Sequence, residues 1–321
     1  MDGADINQSG SCSVPDVSET SKLIKMIIQL SYILPLTYIY IKFLVTVSRK
    51  NSIYSDTFFT LYIVDGVSSI GYIIVEFSII RMMNFFTSYC EWIISIFCVP
   101  TYLLTPYFYL YLFFQFMKII STVTLCANRF TSVFRPVAHN YIWKTYLRHI
   151  IITQIIVSAL FSTPTLTGPA YASIYQNQPY INYVHNIPYF RTTVFRLIIM
   201  IPSLIFIIVS NIIIISKLSK ISSNMRKLET SMVSSTIFIS FGFILVLMLS
   251  VIILVISIDF ANQHPGFFEV FALFNQIAND FYMISGPVVL LILDENIRKS
   301  ILRCSLKPRR GSITQVHTIT G

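Results

Sequence analysis

Seven long apolar segments divide this chain of 321 residues. A helix needs about 20 mostly apolar residues to cross a lipid bilayer, and each of these segments is long enough. They cover about 24–47, 57–80, 92–127, 149–171, 193–216, 233–258 and 269–293. The segments therefore predict an all-α membrane protein, folded as a bundle of seven transmembrane helices.

The third apolar segment is too long for one helix perpendicular to the membrane and too short for two spans joined by a turn. Pro100 and Pro106 lie near its start, and proline is poorly tolerated in the interior of a helix. We therefore predict one tilted helix whose first turns, around the two prolines, lie outside the membrane.

The composition supports a membrane protein and excludes soluble domains. Hydrophobic residues make up 55% of the chain and charged residues only 12%, whereas a soluble chain carries about 25% charge. We expect an outer N-terminal tail (1–23), a seven-helix domain (24–293) and a C-terminal tail (294–321). Because the first tail is polar, the first apolar segment is expected to act as the insertion signal in place of a cleaved leader.

No catalytic motif accompanies the apolar segments. The sequence contains no HExxH, no GxSxG and no glycine-rich phosphate loop, and its five histidines are scattered. It also lacks a CxxC pair and any Cys/His cluster, the patterns typical of metal sites. We therefore expect no enzyme activity, no metal and no other cofactor.

Positive charge is distributed unevenly between the segments that join the helices. With the N-terminus outside, the inner segments hold sixteen Lys and Arg residues and the outer segments hold three, Lys22, Arg81 and Arg191. Lys and Arg accumulate on the cytoplasmic side of membrane proteins, so the N-terminus is predicted to lie outside. The net charge of +9 is spread over short loops beside the membrane, which argues against a nucleic-acid partner.

The five cysteines suggest one disulfide. Cys90 and Cys98 are expected near the outer end of the third helix, but the loop from about 172 to 192 contains no cysteine to pair with them. Cys12, in the N-terminal tail, is the remaining candidate partner for either Cys90 or Cys98. The other two cysteines are Cys126 and Cys304.

Both tails carry a candidate modification site. Asn7 begins the only Asn-x-Ser/Thr sequence of the chain, in the predicted outer tail, and is a candidate for glycosylation. After the seventh segment, Ile297, Ile301 and Cys304 are interleaved with basic residues, which favours a short amphipathic helix on the inner leaflet. Cys304 is there either palmitoylated or an unmodified thiol.

A basic and aromatic motif follows the third segment. It begins Asn128-Arg129-Phe130 and continues through Arg135-Pro136 to Ile142-Trp143 in the predicted second inner loop. An arginine at the foot of a helix can simply extend its guanidinium to the inner interface, so the surrounding residues decide its meaning. The related elements elsewhere are Leu61-Tyr62-Ile63-Val64-Asp65-Gly66, Asn279-Asp280, Ser285-Gly286-Pro287 and Arg298-Lys299.

Together these elements resemble the nematode serpentine chemoreceptors of the class gamma superfamily, over nearly the whole span from residue 24 to about 304. Class gamma and class V are both similar, and we lean to class V. The resemblance implies a rhodopsin-like fold and a chemosensory G-protein-coupled receptor in the plasma membrane of sensory cilia. Its expected partners are an external small molecule and a heterotrimeric G protein, the latter contacted through Asn128, Arg129, Arg135, Pro136 and Trp143.

Several features common in the larger rhodopsin-like group are absent. Asn128 stands where an acidic residue usually precedes the arginine, and Gly286-Pro287 and Leu290 stand where the seventh helix usually has Asn-Pro and Tyr. Asn128 cannot hold Arg129 in an ion pair as an acid would. We therefore expect an inactive state that is less firmly locked, with appreciable basal signalling.

Two opposite charges are predicted at matching depth in the membrane. Lys118 lies 11 residues before Arg129, about 16 Å above it at a rise of about 1.5 Å per residue. Asp65 lies about eight residues inside the second segment, about 12 Å from its inner end. We predict that Lys118 pairs with Asp65; Asp280 is the competing partner, and the alternative is that Asp65 reaches water.

Polar residues predict a ligand cavity in the outer half of the bundle. The third helix has a polar face, formed by Tyr111, Gln115, Lys118 and Thr122. Gln276 and Asp280 share a face of the seventh helix because they are four residues apart. The predicted ligand site consists of Tyr107, Tyr111, Gln115, Gln276 and Asp280, and the alternative is hydrogen bonding between helices without a ligand.

Arg196, near the outer end of the fifth segment, has two interpretations. It either meets an anionic ligand or extends outward to the interface together with Arg191; we expect the outward position.

Two other functions are compatible with seven helices. A transporter would be expected to show paired repeats with broken helices, and none is visible. A ligand-gated channel of the inverted seven-helix type would need its N-terminus inside, which the Lys and Arg distribution opposes.

Overall fold

The computed structural model describes residues 19–49, 57–175, 178–184, 192–218, 223–255 and 265–293, together with 295 and 298. The first half contains α1 (Glu19–Arg49), α2 (Thr57–Glu76), α3 (Met82–Phe85), α4 (Thr87–Phe97) and α5 (Thr105–Phe134). The second half contains α6 (Pro136–Ser162), β1 (Ala170–Tyr175), β2 (Gln178–Tyr183), α7 (Thr192–Leu218), α8 (Ser223–Val255) and α9 (Pro265–Leu293).

Seven of the helical stretches are long and apolar enough to cross a membrane. They are α1, α2 with α3, and then α5, α6, α7, α8 and α9. This confirms the predicted all-α bundle of seven spans. We call the end at which α1 begins the outer end of the bundle, and the opposite end the inner end.

The second membrane helix continues past the predicted boundary at residue 80. A π-helical segment, Phe77–Arg81, joins α2 to α3, and the whole stretch runs to Phe85. π-Helical turns inside α-helices are rare and occur often at functional sites. Here the segment changes the register of the helix, so that Arg81 lies inside the bundle and not in an outer loop.

The predicted tilted helix over 92–127 is wrong in its outer part. A separate short helix, α4, ends at Phe97, and the third membrane helix begins only at Thr105. Pro106 lies in the first turn of α5, where the missing amide proton of proline has no helical partner to lose. Cys90 and Cys98 consequently belong to α4 and its C-terminal cap, before the third membrane helix begins.

The predicted second inner loop is almost entirely helical. α5 ends at Phe134 and α6 begins at Pro136, so Arg135 alone separates them. Arg135 has φ −138° and ψ 68°, outside the helical region, because a residue before proline is disfavoured in that region. Ile142 and Trp143 therefore lie on the second turn of α6.

A β-hairpin covers part of the outer end. β1 and β2 pair in antiparallel register from Ala170–Tyr183 to Tyr175–Gln178. Backbone bonds between Thr101 and Ala170 fasten this hairpin to the start of α5. Apolar side chains beneath the hairpin form a small outer core with α4, including Met83, Ile93, Leu104, Ala172 and Ile181.

Large aromatic side chains fill the main core. Tyr40 and Phe43 of α1, Phe58 and Tyr62 of α2, and Phe243 of α8 are all fully buried. Many isoleucines and leucines, such as Ile74, Ile198 and Ile212, face outward instead, as expected for side chains that contact lipid. Lys22 of α1 donates to the Thr87 hydroxyl of α4 over 2.8 Å, and this hydrogen bond connects α1 to α4 at the outer end.

Gly168 is expected to be intolerant of a side chain. A Cβ at this position would lie 2.1 Å from the Val184 carbonyl oxygen, a backbone atom that cannot move without opening the hairpin. Gly168→Ala should lower the free energy of unfolding by about 1–3 kcal/mol, measured as a lower thermal unfolding temperature of the purified protein.

Gly66→Ala is the matched control, because its Cβ would meet the tip of the Leu44 side chain at 2.6 Å, which a rotation can relieve. An equal or larger loss of stability in Gly66→Ala would contradict the claim that the backbone contact makes position 168 less tolerant of a side chain.

Candidate functional site

The Arg129 side chain is buried at the inner end of the bundle. Only 2% of its surface is exposed, and its guanidinium lies 3.8 Å from the ring centroid of Phe58 on α2. The neighbouring Asn128 donates from Nδ2 to the Thr57 hydroxyl over 3.4 Å. Two consecutive residues of α5 are thus held by two consecutive residues of α2.

The foot of α5 is also tied to α6. The Trp143 indole donates to the Thr131 hydroxyl over 2.7 Å, and His139 Nδ1 lies 3.0 Å from the same oxygen. Trp143 is buried, whereas Arg135 and Pro136 are exposed. Of the five predicted coupling residues, the structure therefore presents Arg135 and Pro136 at the surface and holds Asn128, Arg129 and Trp143 inside.

The structure brings Asp65 and Lys118 together. Lys118 Nζ donates to Asp65 Oδ2 over 2.6 Å, and both side chains are completely buried. The Tyr282 ring of α9 lies 5.4 Å from the ammonium, and its hydroxyl lies 3.1 Å from that of Thr122. This pair links α2, α5 and α9 at mid-depth, because a buried charge needs a partner of opposite sign.

A second buried ionic cluster lies nearer the outer end. The Arg81 guanidinium donates to Glu76 Oε2 over 2.6 Å and binds both carboxylate oxygens of Asp280. Tyr32 of α1 donates to Asp280 over 2.6 Å, and Gln29 accepts from Arg81 over 3.4 Å. Asp280 therefore pairs with Arg81, while Lys118 pairs with Asp65.

Arg81 is buried inside the bundle, whereas its place in the sequence predicts an outer segment. Glu76 and Arg81 are five residues apart, which in an α-helix would direct them about 140° apart. The π-helical segment between them turns both toward the interior. The available signal was the presence of an acid and a base at the end of an apolar segment.

The five predicted ligand residues fall into two groups. Gln276 and Asp280 belong to the Arg81 cluster, where Gln29 donates to Gln276 over 2.6 Å. Tyr111 and Gln115 lie instead beside Tyr72 of α2, whose hydroxyl is 3.3 Å from that of Tyr111 and 3.4 Å from Gln115 Nε2. The last of the five, Tyr107, has a buried hydroxyl one turn above Tyr111.

Arg196 points into the bundle, which overturns the expected outward position. Its Nη1 donates to Gln115 Oε1 over 3.3 Å, and its Nη2 donates to the Ser250 hydroxyl over 2.7 Å. These contacts join α7 to α5 and α8. Arg191, the other residue of that expectation, lies outside the described residues.

The cysteines near the outer end have different chemical states. Cys98 is disulfide-bonded, whereas Cys90 is a buried free thiol, which rules out Cys90 as the partner of Cys12. Burial raises the pKa of the Cys90 thiol, so this group stays protonated and unreactive. Cys12 itself, the predicted glycosylation site at Asn7 and the predicted palmitoylation site at Cys304 all lie outside the described residues.

Within the described ranges, no group of three or more His, Cys, Asp or Glu side chains is placed to hold a metal ion. The chemistry of the site therefore rests on its buried charges and hydroxyl groups.

The fold and its buried charges define the class of this molecule. It is a multi-pass membrane protein of seven spans, with charged residues paired inside the bundle. Residues 26–301 match the model of the Srg family chemoreceptors. Since this match covers most of the chain, the protein belongs to the Srg family of serpentine chemoreceptors.

Individual relatives agree with this family. Serpentine receptor class gamma-4 of Caenorhabditis elegans is 23% identical over 91% of this chain and 91% of its own length. Class gamma-14 of the same organism is 26% identical over 81% of this chain and 77% of its own length. For class gamma-11 the identity is 24%, over 88% and 83%.

These matches decide between the two classes that the sequence left open. They support class gamma, so the lean to class V is not upheld, while the recognition of a nematode serpentine chemoreceptor is confirmed. The family is one of receptors and not of enzymes, as expected.

The Asp65–Lys118 pair should behave as one energetic unit. Asp65→Asn or Lys118→Met alone leaves a buried charge without its partner and should destabilise the protein by about 3–5 kcal/mol. The double variant should recover much of this loss, measured as the thermal unfolding temperature in detergent. Additive losses in the double variant would show that the pairing contributes nothing.

Arg81 should be at least as sensitive, because it neutralises two buried carboxylates. Arg81→Met leaves Glu76 and Asp280 side by side and should cost about 3–5 kcal/mol or abolish folding. Arg298→Met is the matched control, since Arg298 is exposed and its loss should leave the amount of folded receptor unchanged. Similar yields of the two variants would contradict a structural role for the Arg81 cluster.

Proposed function

We propose that this chemoreceptor binds an external small molecule at the outer half of the bundle and activates a heterotrimeric G protein at the inner end. The observation that carries the proposal is the burial of Arg129 against Phe58. This arginine is the residue that the family resemblance assigns to coupling, and in the described state it is withdrawn from the inner surface.

In this proposal the described conformation is the resting state. The exposed residues Arg135 and Pro136 belong to the surface proposed to contact the G protein, and the basic segment 217–227 is assigned to the same role from its sequence. Lys217 lies 4.2 Å from the ring centroid of Phe134, so the inner ends of α7 and α5 meet there. Side chains 218–227 lie outside the part of the chain for which the structure places side chains.

Activation would move Arg129 off the Phe58 ring. A cation–π contact of a desolvated guanidinium is worth about 2 kcal/mol, which corresponds to a change of about thirtyfold between two conformations. A ligand that binds the second conformation more tightly by that factor suffices to shift the population. The absent acid before the arginine is thus replaced by an aromatic ring on α2.

The outer and inner ends communicate through one face of α5 in this scheme. From the outer end it carries Gln115 beside Arg196, Lys118 in its ion pair, and Arg129 on Phe58. A ligand that changes the distance between α5 and α7 near Gln115 would tilt this face against α2.

From the resemblance to nematode serpentine chemoreceptors we also place the receptor in the ciliary membrane of sensory neurons.

Two variants test the proposal in cells that report G-protein activation. Arg129→Ala should abolish signalling, while Arg148→Ala, an exposed arginine of α6, should preserve it. Phe58→Leu keeps most of the apolar volume but removes the ring, and it should raise basal signalling about five- to thirtyfold.

Phe243→Leu controls for the loss of an aromatic ring elsewhere in the core, because Phe243 is also fully buried and packs on the Tyr282 ring of α9. Unchanged basal signalling in Phe58→Leu at equal surface amounts, or full signalling in Arg129→Ala, would refute the coupling mechanism.

A further inference from the structure

Arg196 differs from Arg81 and Lys118, two cations that are paired inside the bundle. Arg81 is paired with Glu76 and Asp280, and Lys118 is paired with Asp65. Arg196 makes its two hydrogen bonds to neutral oxygens, those of Gln115 and Ser250. Among the described residues, no carboxylate lies within ion-pair distance of its guanidinium.

The guanidinium also has an unused donor. Arg196 Nε is buried and has no hydrogen-bond partner in the described part of the chain. A buried donor without an acceptor costs about 1–3 kcal/mol, and more when the group is charged. Interior charges in membrane proteins are rare for this reason, and those that persist usually mark a functional site.

Two buried side chains hold the Arg196 guanidinium in place. Gln115 and Ser250 are both almost completely buried, and each directs its oxygen at one terminal nitrogen of the guanidinium. They hold the group between α5, α7 and α8, where Nε is buried and has no hydrogen-bond partner among the described residues. Arg196 itself keeps part of its surface accessible.

We propose that Arg196 is the anion-binding residue of the ligand site and that the ligand of this receptor carries a carboxylate. A guanidinium binds a carboxylate through two parallel N–H donors, and Nε together with the second proton of Nη2 would supply them while Nη2 keeps its bond to Ser250. One bound carboxylate would neutralise the charge of the Arg196 guanidinium. This inference rests on the proposed receptor function and adds the chemical class of the ligand.

The remaining lining suits the uncharged part of such a ligand. The Tyr72 and Tyr111 rings pack 5.3 Å apart beside Gln115, and their hydroxyl groups can bind a polar substituent. Phe195, next to Arg196 in α7, packs against Phe116 of α5 with ring centroids 6.0 Å apart. The ligand class is therefore a small organic acid with an apolar or aromatic body.

The first experiment compares the stability of purified receptors without any ligand. Arg196→Gln removes an uncompensated charge and keeps hydrogen-bonding capacity, so its thermal unfolding temperature should equal or exceed that of the native protein. Arg81→Gln, in the paired cluster, should show the opposite change. A lower unfolding temperature in Arg196→Gln would assign Arg196 a structural role and overturn the proposal.

The second experiment uses three defined acids as probes: benzoate, 3-phenylpropionate and hexanoate, each beside its methyl ester. At concentrations well above about 1 mM, the range of weak binding, at least one acid should raise the unfolding temperature of the native receptor by about 2 °C or more. The methyl esters should not, and Arg196→Gln should lose the response to the acid.

Three results would contradict the proposal that the ligand carries a carboxylate. No shift with any of the three acids, equal shifts with the esters, or an unchanged shift in Arg196→Gln would overturn the proposal. Phenyl phosphate is the fourth probe, and a larger shift with it than with the acids would assign the site to a phosphate group instead.

The two proposals can fail separately. G-protein coupling is tested without a ligand by the basal signal of Phe58→Leu, in a receptor whose Arg196 is unchanged. If the basal signal persists while the acids fail, the receptor function stands and only the ligand class is wrong. If the basal signal does not rise in Phe58→Leu, the coupling mechanism fails independently of Arg196.

Discussion

The buried ion pair between Asp65 and Lys118 sets the approach of α2 to α5, and the rest of the bundle is arranged around that contact. Neither charge can remain in a lipid environment without the other, so the two helices have one favoured depth and rotation relative to each other. Tyr282 brings α9 onto the same point. On either side of this contact, Phe58 lies against the Arg129 guanidinium at the inner end, and Tyr72 packs beside Tyr111 toward the outer end.

Charges at three depths then have three different roles. The Arg81 cluster fastens α1, α2 and α9, and its pairing with two carboxylates makes it a structural element. The Arg129 guanidinium lies on the Phe58 ring, and in the proposed mechanism this contact is exchanged during activation. The Arg196 guanidinium has only neutral partners, and this is the arrangement expected of a residue that awaits a ligand. In the proposed mechanism, the partner of each arginine therefore distinguishes its role: structural for Arg81, switching for Arg129 and ligand recognition for Arg196.

The sequence predicted those features that follow from regular helices. The seven spans and the meeting of Asp65 with Lys118 both depend only on apolar length and on a constant rise per residue. It failed where the helices are irregular: the break between Phe97 and Thr105, the single residue between α5 and α6, and the π-helical turn before Arg81. The inward direction of Arg196 was also missed, because it depends on Gln115 and Ser250, which lie 81 and 54 positions away in the chain.

The link between α5 and α6 is only one residue long, with Pro136 immediately after it. Such a short link leaves little freedom between the two helices, and the hydrogen bonds that join Thr131 to Trp143 and to His139 restrict it further. The two helices are therefore rigidly coupled, and a displacement of the inner end of α5 is passed to the inner end of α6. In the proposed coupling mechanism, the angle between α5 and α6 at this link would help to determine which G protein fits the inner end, with little contribution from a flexible loop.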